Sequence, residues 1–204
     1  MPEYHEHHNA KVVIIKYNAG NIFSVDCALR RIGIRAAITD NHDEIRNAGR
    51  VIFPGVGEAS TTMLYLKQRG LDAVISHLKQ PVLGICIGMQ LMCRFSEEGD
   101  TSCLGIFDEK VVRFVPAPGI KVPHTGWNSL QNMRSRLFDG LPGHPFVYFV
   151  HSYYAATGAH TIATSSYPEP FSAALQYRNF FALQFHPEKS GWVGETILRN
   201  FISL

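Results

Sequence analysis

A chain of 204 residues with 46% apolar and 18% charged side chains is built to bury a sizeable core, which excludes a disordered tether. Nineteen Lys and Arg against 17 Asp and Glu leave a formal charge of +2, with basic residues scattered in nothing longer than pairs such as Arg30-Arg31, so a phosphate-tracking groove for nucleic acid is excluded too. No apolar stretch approaches the roughly 18 residues needed to span a bilayer, and Cys27, Cys86, Cys93 and Cys103 include no CxxC pair, so they read as reduced thiols of a cytoplasmic protein rather than a zinc site.

Residues 1–10 are polar, carry His5, His7 and His8, and are expected to form a flexible tail ahead of a single domain over 11–204. Val12-Val13-Ile14-Ile15 is a continuous apolar run suited to a strand buried on both faces, followed by a turn at Tyr17 to Asn21. Val25, Ala28, Leu29 and Ile32 recur at helical spacing, and Gly33 closes that helix. Ile34 to Ile38 read as a second strand, Asp43 to Ala48 as a short helix or turn, and Val51 to Phe53 as a third strand. That strand runs into Pro54-Gly55-Val56-Gly57, a loop able to turn backbone N–H groups toward a ligand, although Pro-Gly is also a common way to leave a strand. Helical stretches follow from Ser60 to Arg69 and from Leu71 to Lys79.

Val82 to Ile85 then read as a buried strand, with a helix from about Gln90 ending near Phe95, which puts Cys86 on the turn between them. Glycines two residues before and after it, Gly84 and Gly88, suit a strained nucleophile elbow in which side chains at those positions would crowd the turn. N–H groups at the helix start would favour a thiolate and offer donors to an oxyanion. The simpler alternative is a buried cysteine that fills space. Alternating strand and helix up to here point to an α/β fold with ligands at the carboxyl ends of its strands.

Beyond the elbow, Ser96 to Ser102 read as a polar loop, Gly105 to Val115 as strand material, and Pro116 to Asn128 as a long irregular segment whose Lys121, His124 and Trp127 suggest an interaction surface. Leu137 to Leu141 suit a helical turn and Phe146 to Val150 a strand, with His151-Ser152-Tyr153-Tyr154 offering hydroxyls to a polar substrate. Thr161 to Thr164 suggest another strand, Phe171 to Tyr177 and Phe180 to Phe185 a hairpin turning at Arg178-Asn179, and Val193 to Ser203 a closing helix.

A nucleophilic thiol needs a base held by a third group, and Gln184-Phe185-His186-Pro187-Glu188 supplies both. The proline biases His186 toward an extended backbone, where residues two apart lie on one side at roughly 6.6 Å, within reach of a glutamate side chain. Glu188 would then orient one imidazole nitrogen while the other faces the sulfur. His151 is a further candidate for lining the pocket.

The stretch Gly84 to Gln90, taken with Gln184 to Glu188, resembles the class I glutamine amidotransferases, and the match runs along nearly the whole chain. Tyr17 to Ile22, Pro54 to Gly57, Pro123 to Asn128, His151 to Tyr154 and Glu188-Lys189-Ser190 are similar to the glutaminase subunits of imidazole glycerol phosphate synthases. The resemblance implies a flavodoxin-like fold, a mostly parallel sheet flanked by helices with an added antiparallel region, and no metal or cofactor. It implies that Cys86 attacks the side-chain amide of glutamine, with His186 and Glu188 completing the triad. The Ile87 amide and one from Gly55, Val56 or Gly57 would hold the oxyanion, and Gln90, Ser152 and Tyr153 would contact glutamine. It also implies a heterodimer with a β/α-barrel cyclase subunit, faced by Lys121, Trp127, Asn128, Tyr148 and Lys189. Many members of that group carry an acid and a glycine where this chain has Lys16 and Asn18. The alternatives are a glutaminase subunit of an anthranilate or aminodeoxychorismate type synthase, a stand-alone Cys-His hydrolase, or a catalytically silent binding subunit.

Overall fold

The computed structural model describes residues 11–17 and 21–204, so the expectations about the amino-terminal segment and about Asn18 lie outside the described residues. Strand β1 (Val12–Ile15), helix α1 (Ile22–Arg31), β2 (Ala36–Thr39), α2 (His42–Arg46), β3 (Arg50–Phe53), α3 (Ala59–Gln68), α4 (Leu71–Ser76), β4 (Val82–Ile85) and α5 (Ile87–Met92) form the alternating first half. The second half comprises β5 (Phe95–Ser96), β6 (Thr101–Ser102), β7 (Lys110–Arg113), β8 (His124–Ser129), β9 (Phe146–His151), β10 (Tyr153–Ala155), β11 (Thr161–Ser166), β12 (Pro170–Tyr177), β13 (Phe180–Leu183) and α6 (Gly191–Ile202).

The unbroken apolar runs of β1, β3 and β4 follow from burial of both sheet faces. Val12, Ile14, Ile52, Leu83 and Ile85 pack with Val25 and Leu29 of α1 and Ile197 and Leu198 of α6. Their neighbours Val13, Ile15, Val51, Phe53 and Val82 point the other way, onto Met63 and Leu66 of α3 and Val74 and Ile75 of α4. The result is a central sheet between two helical layers.

That sheet has seven strands in the order β11-β12-β13-β4-β3-β1-β2. β2, β1, β3, β4 and β13 run parallel, while β12 and β11 extend the edge in antiparallel fashion. β4 therefore lies between β3 and β13, and the carboxyl ends of these three strands open side by side. β8 and β9 form a separate antiparallel ribbon, and β10, β7, β5 and β6 a small third sheet.

Several boundaries differ from the sequence reading. The second strand begins at Ala36 rather than Ile34, and α4 stops at Ser76 rather than Lys79, where His77 N–H bonds the Val74 carbonyl. Helix α5 ends at Met92, not near Phe95, because its last carbonyls are taken by the N–H groups of residues 104–107: Leu104 bonds Leu91, Gly105 bonds Cys93, and Ile106 and Phe107 both bond Met92. The same capping leaves only Lys110–Arg113 as strand within the segment 105–115. The polar 96–102 stretch contains two short strands, Phe95–Ser96 and Thr101–Ser102, paired antiparallel. The irregular segment ends at residue 123, since His124–Ser129 pair with Phe146–His151 along their full length despite the local Pro and Gly content.

Candidate active site

Cys86 lies between β4 and α5 with φ 51° and ψ −107°, a left-handed conformation that a non-glycine side chain adopts only where the surroundings enforce it. Its N–H bonds the Leu183 carbonyl at 2.8 Å, tying the elbow to β13. Close approach explains the neighbouring glycines. A Cβ at Gly88 would overlap the Phe53 carbonyl oxygen, and one at Gly84 would stand 2.9 Å from Met92 Sδ and 3.0 Å from the Gly88 carbonyl. A Cβ at Gly55 would overlap the Tyr17 hydroxyl and Ile87 Cγ2, so the Pro54 to Gly57 loop is seated directly on the residue after the cysteine. Tyr17, buried beside the elbow, donates to the Pro54 carbonyl and fixes that loop from below. Burial, and secondarily Cys86, hold the Tyr17 phenol far above its usual range, which keeps it a donor.

His186 follows β13, the strand beside β4, and its backbone N–H bonds the Tyr148 carbonyl of β9 at 2.9 Å. Its Nδ1 lies 2.7 Å from Glu188 Oε1, and both side chains are wholly buried. The contact is made by a different backbone from the extended one expected: His186 is extended at φ −96°, ψ 97°, but Pro187–Lys189 form a 3-10 turn that folds the glutamate back onto the ring. A carboxylate only accepts, so Nδ1 carries the proton and Nε2 is the nitrogen available to sulfur. Burial lowers the affinity of His186 for a second proton, but interaction with Cys86 and Glu188 outweighs it and holds the imidazole well above its ordinary range. Among the described residues buried Nε2 has no hydrogen-bond partner, and the thiol points to the Val150 carbonyl at 3.9 Å.

Polar groups from distant segments complete the surroundings. Asn21, at the start of α1 with φ 72°, donates through Nδ2 to Glu188 Oε1 and lies 3.5 Å from His186 Nδ1. Gln184 Nε2 approaches Cys86 Sγ at 3.8 Å. Gln90 is 4% exposed and spends its amide N–H groups on the Tyr153 carbonyl at 2.9 Å and Gln184 Oε1 at 3.1 Å, so its donors serve the framework. Ser152 and Tyr153 are half-buried where β9 passes into β10, and His151, the last residue of β9, is buried with Nδ1 2.7 Å from the Tyr153 carbonyl. Asn21 and Gln184 lie inside the family-like motifs of the sequence, yet nothing in their spacing marks them; Tyr17 is equally silent.

Of the residues expected on the partner face, three come together. Trp127, 56% exposed, meets Tyr148 edge to face with centroids 5.9 Å apart, and Lys189 Nζ lies 5.9 Å from the Tyr148 ring. The cluster is continuous with the site, since Tyr148 accepts from His186 and Ser190 Oγ accepts from Tyr148 N–H at 3.0 Å. Asn128 turns inward instead, donating to the Ser166 carbonyl at 3.0 Å, and Lys121 is exposed on a loop whose backbone is held by the Tyr167 hydroxyl.

A buried cysteine on an elbow, a histidine clamped by a glutamate and a glycine loop facing the elbow stand together, the kinds of group that nucleophilic attack by sulfur requires. The family model for glutamine amidotransferase class-I matches residues 13–204, and the chain belongs to that family. Similar proteins narrow the position. The imidazole glycerol phosphate synthase subunit HisH of Bacteroides fragilis strain YCH46 is 59% identical over 195 residues, 95% of this chain and 100% of the relative. That of Bacteroides thetaiotaomicron is 57% identical with the same coverage, and that of Haemophilus influenzae strain Rd is 43% identical over 94% of this chain and 96% of its own. Within the amidotransferases, the chain thus falls among the HisH subunits of imidazole glycerol phosphate synthase. A putative GMP synthase component from Thermoplasma acidophilum shares the fold at TM-score 0.73 and 22% identity, covering 96% of this chain and 94% of that one.

Proposed function

We infer that this chain is the glutaminase subunit of an imidazole glycerol phosphate synthase in histidine biosynthesis, with Cys86, His186 and Glu188 as its catalytic triad. The single observation that carries the residue assignment is the buried His186–Glu188 pair set beside a cysteine on a positive-φ elbow. Cys86 sulfur attacks the side-chain carbonyl carbon of glutamine, and the oxyanion is held by the Ile87 amide and an amide of Gly55, Val56 or Gly57. His186 takes the Cys86 thiol proton on Nε2 as the sulfur attacks and gives it to the departing ammonia, leaving a glutamyl thioester; it then takes a proton from water, which attacks the thioester, and returns that proton to the Cys86 sulfur as the C–S bond breaks and glutamate leaves. Glu188 holds the imidazole in the tautomer both steps need. Ser152, Tyr153 and Gln90 line the glutamine side, Gln90 by bracing the Tyr153 carbonyl.

The ammonia passes to a β/α-barrel cyclase subunit, which joins it to a ribulosyl nucleotide to give imidazole glycerol phosphate and an aminoimidazole carboxamide ribonucleotide. Trp127, Tyr148 and Lys189 supply the centre of that contact, with Asn128 and Lys121 at its margin. The reaction is assigned to the cytoplasm; among the described residues no helix is long and apolar enough to cross a membrane. Glutamate release is measured for the chain alone, with the cyclase, and with the cyclase and its nucleotide substrate. Strong stimulation in the third condition is expected; activity indifferent to the cyclase would assign the chain to another synthase or to a free-standing hydrolase.

A further inference from the structure

We propose that His124 and His151 are positioning residues for glutamine: each imidazole is fixed in one tautomer, and together they hold the Tyr153 carbonyl and the polar shelf beside Cys86 in register with strand β8. The proposal rests on the reading of Ser152 and Tyr153 as glutamine contacts.

The direction of every bond follows from its last acceptor. His151 Nδ1 lies 2.7 Å from the Tyr153 carbonyl, which only accepts, so the proton is on Nδ1. His151 Nε2 then presents a lone pair, and His124 Nδ1, 3.0 Å away, must donate to it. This leaves a lone pair on His124 Nε2, toward which the Asn128 amide donates at 3.4 Å. All three bonds point the same way, from β8 to β10. At its far end the Tyr153 carbonyl also accepts from Gln90, which reaches Gln184 and through it Cys86 Sγ.

The chain works only with both rings uncharged, because a second proton would set N–H against N–H. The burial of the two histidines, 4% and 5% exposed, meets that condition. Burial pushes His124 down to about 4. It pushes His151 down to about 3, opposed by the bond to Tyr153 and aided by repulsion from His124 and His186. His124 is also sandwiched, stacked on Tyr167 with centroids 4.0 Å apart and on Phe149 at 5.1 Å. Packing needs only the flat ring, whereas positioning needs the Nδ1 proton, and substitution separates the two.

The test compares His124→Phe, which keeps the ring and loses the donor, with His124→Asn, which loses the ring and keeps an amide N–H near the Nδ1 position. In the complex with the cyclase and its nucleotide, His124→Phe is expected to raise the glutamine KM about tenfold with kcat within about twofold, the effect of stranding a buried acceptor, while His124→Asn stays within about threefold of native. A native KM in His124→Phe, or an Asn variant as impaired as Phe, would overturn the proposal. Should neither variant give a cooperative melt, long-range proton–nitrogen spectra of the native chain decide: protons on Nδ1 of both rings support it, and a proton on Nε2 of either ring refutes it. Absence of glutamine hydrolysis in the native complex would refute the underlying glutaminase reading while leaving the tautomers as found.

Discussion

Cys86 and His186 follow adjacent parallel strands, but the first is fixed by close packing and the second by hydrogen bonds. Around Cys86 the neighbours are glycines whose missing side chains let other atoms close on the backbone: the Phe53 carbonyl on Gly88, the Gly88 carbonyl on Gly84, and the Ile87 and Tyr17 side chains on Gly55. Around His186 they are polar groups drawn from across the chain, with Glu188 and Asn21 on the ring side and Tyr148 and Ser190 on the backbone. The sulfur side should therefore be sensitive to added volume and the histidine side to altered polarity and proton uptake.

The largest expected effect removes the candidate nucleophile while sparing both frameworks. Cys86→Ala should lower glutamate release by at least about 10⁴-fold, with unchanged cyclase affinity, as losses of a triad nucleophile do. Residual hydrolysis near the native rate would move the nucleophile elsewhere.

Acid should strike the polar side. His124 and His151 fall to about 4 and about 3 in the folded chain, below the ordinary imidazole value of 6.5. Unfolded chain therefore takes up protons that folded chain refuses once the pH drops under about 6.5. The slope is roughly 1.4 kcal/mol per pH unit for each histidine, or up to about 4 kcal/mol between pH 6.5 and 5 for the pair. Urea midpoints across that window measure it, and a flat profile would contradict the uncharged pair.

On the packing side, Gly88→Ala drives a methyl group into the Phe53 carbonyl and should cost at least about 3 kcal/mol of stability, at the upper end of overpacking. A melting temperature within a degree or two of native would show that the elbow has slack. Trp127→Ala should have the smallest effect on the fold, weakening cyclase binding by about tenfold while leaving the thermal midpoint in place. An unchanged dissociation constant would remove Trp127 from the contact.

The contrast also explains what was legible in the sequence. Val12 to Ile15 and Val82 to Ile85 announce buried parallel strands because each side of the sheet demands apolar residues, and the glycines around Cys86 announce the elbow because sterics act over two residues. The histidine side depends on strand order, which no local pattern encodes. Asn21 meets Glu188 across 167 positions, and Gln90 meets Gln184 across 94. Even the His186–Glu188 contact, foreseen from the proline between them, is achieved by a 3-10 turn rather than by an extended chain. Strand β8 was hidden for a related reason: His124 to Ser129 hold their pairing through β9, although Gly126 and Asn128 are poor strand formers.

The most direct test of the central claim is covalent labelling of the chain, bound to its cyclase, with a glutamine analogue that carries an electrophilic carbon in place of the side-chain amide. Digestion and mass spectrometry should locate one adduct, on Cys86, and excess glutamine should suppress it. An adduct on Cys27, Cys93 or Cys103 instead, or glutamine hydrolysis that continues with Cys86 fully labelled, would contradict the assignment.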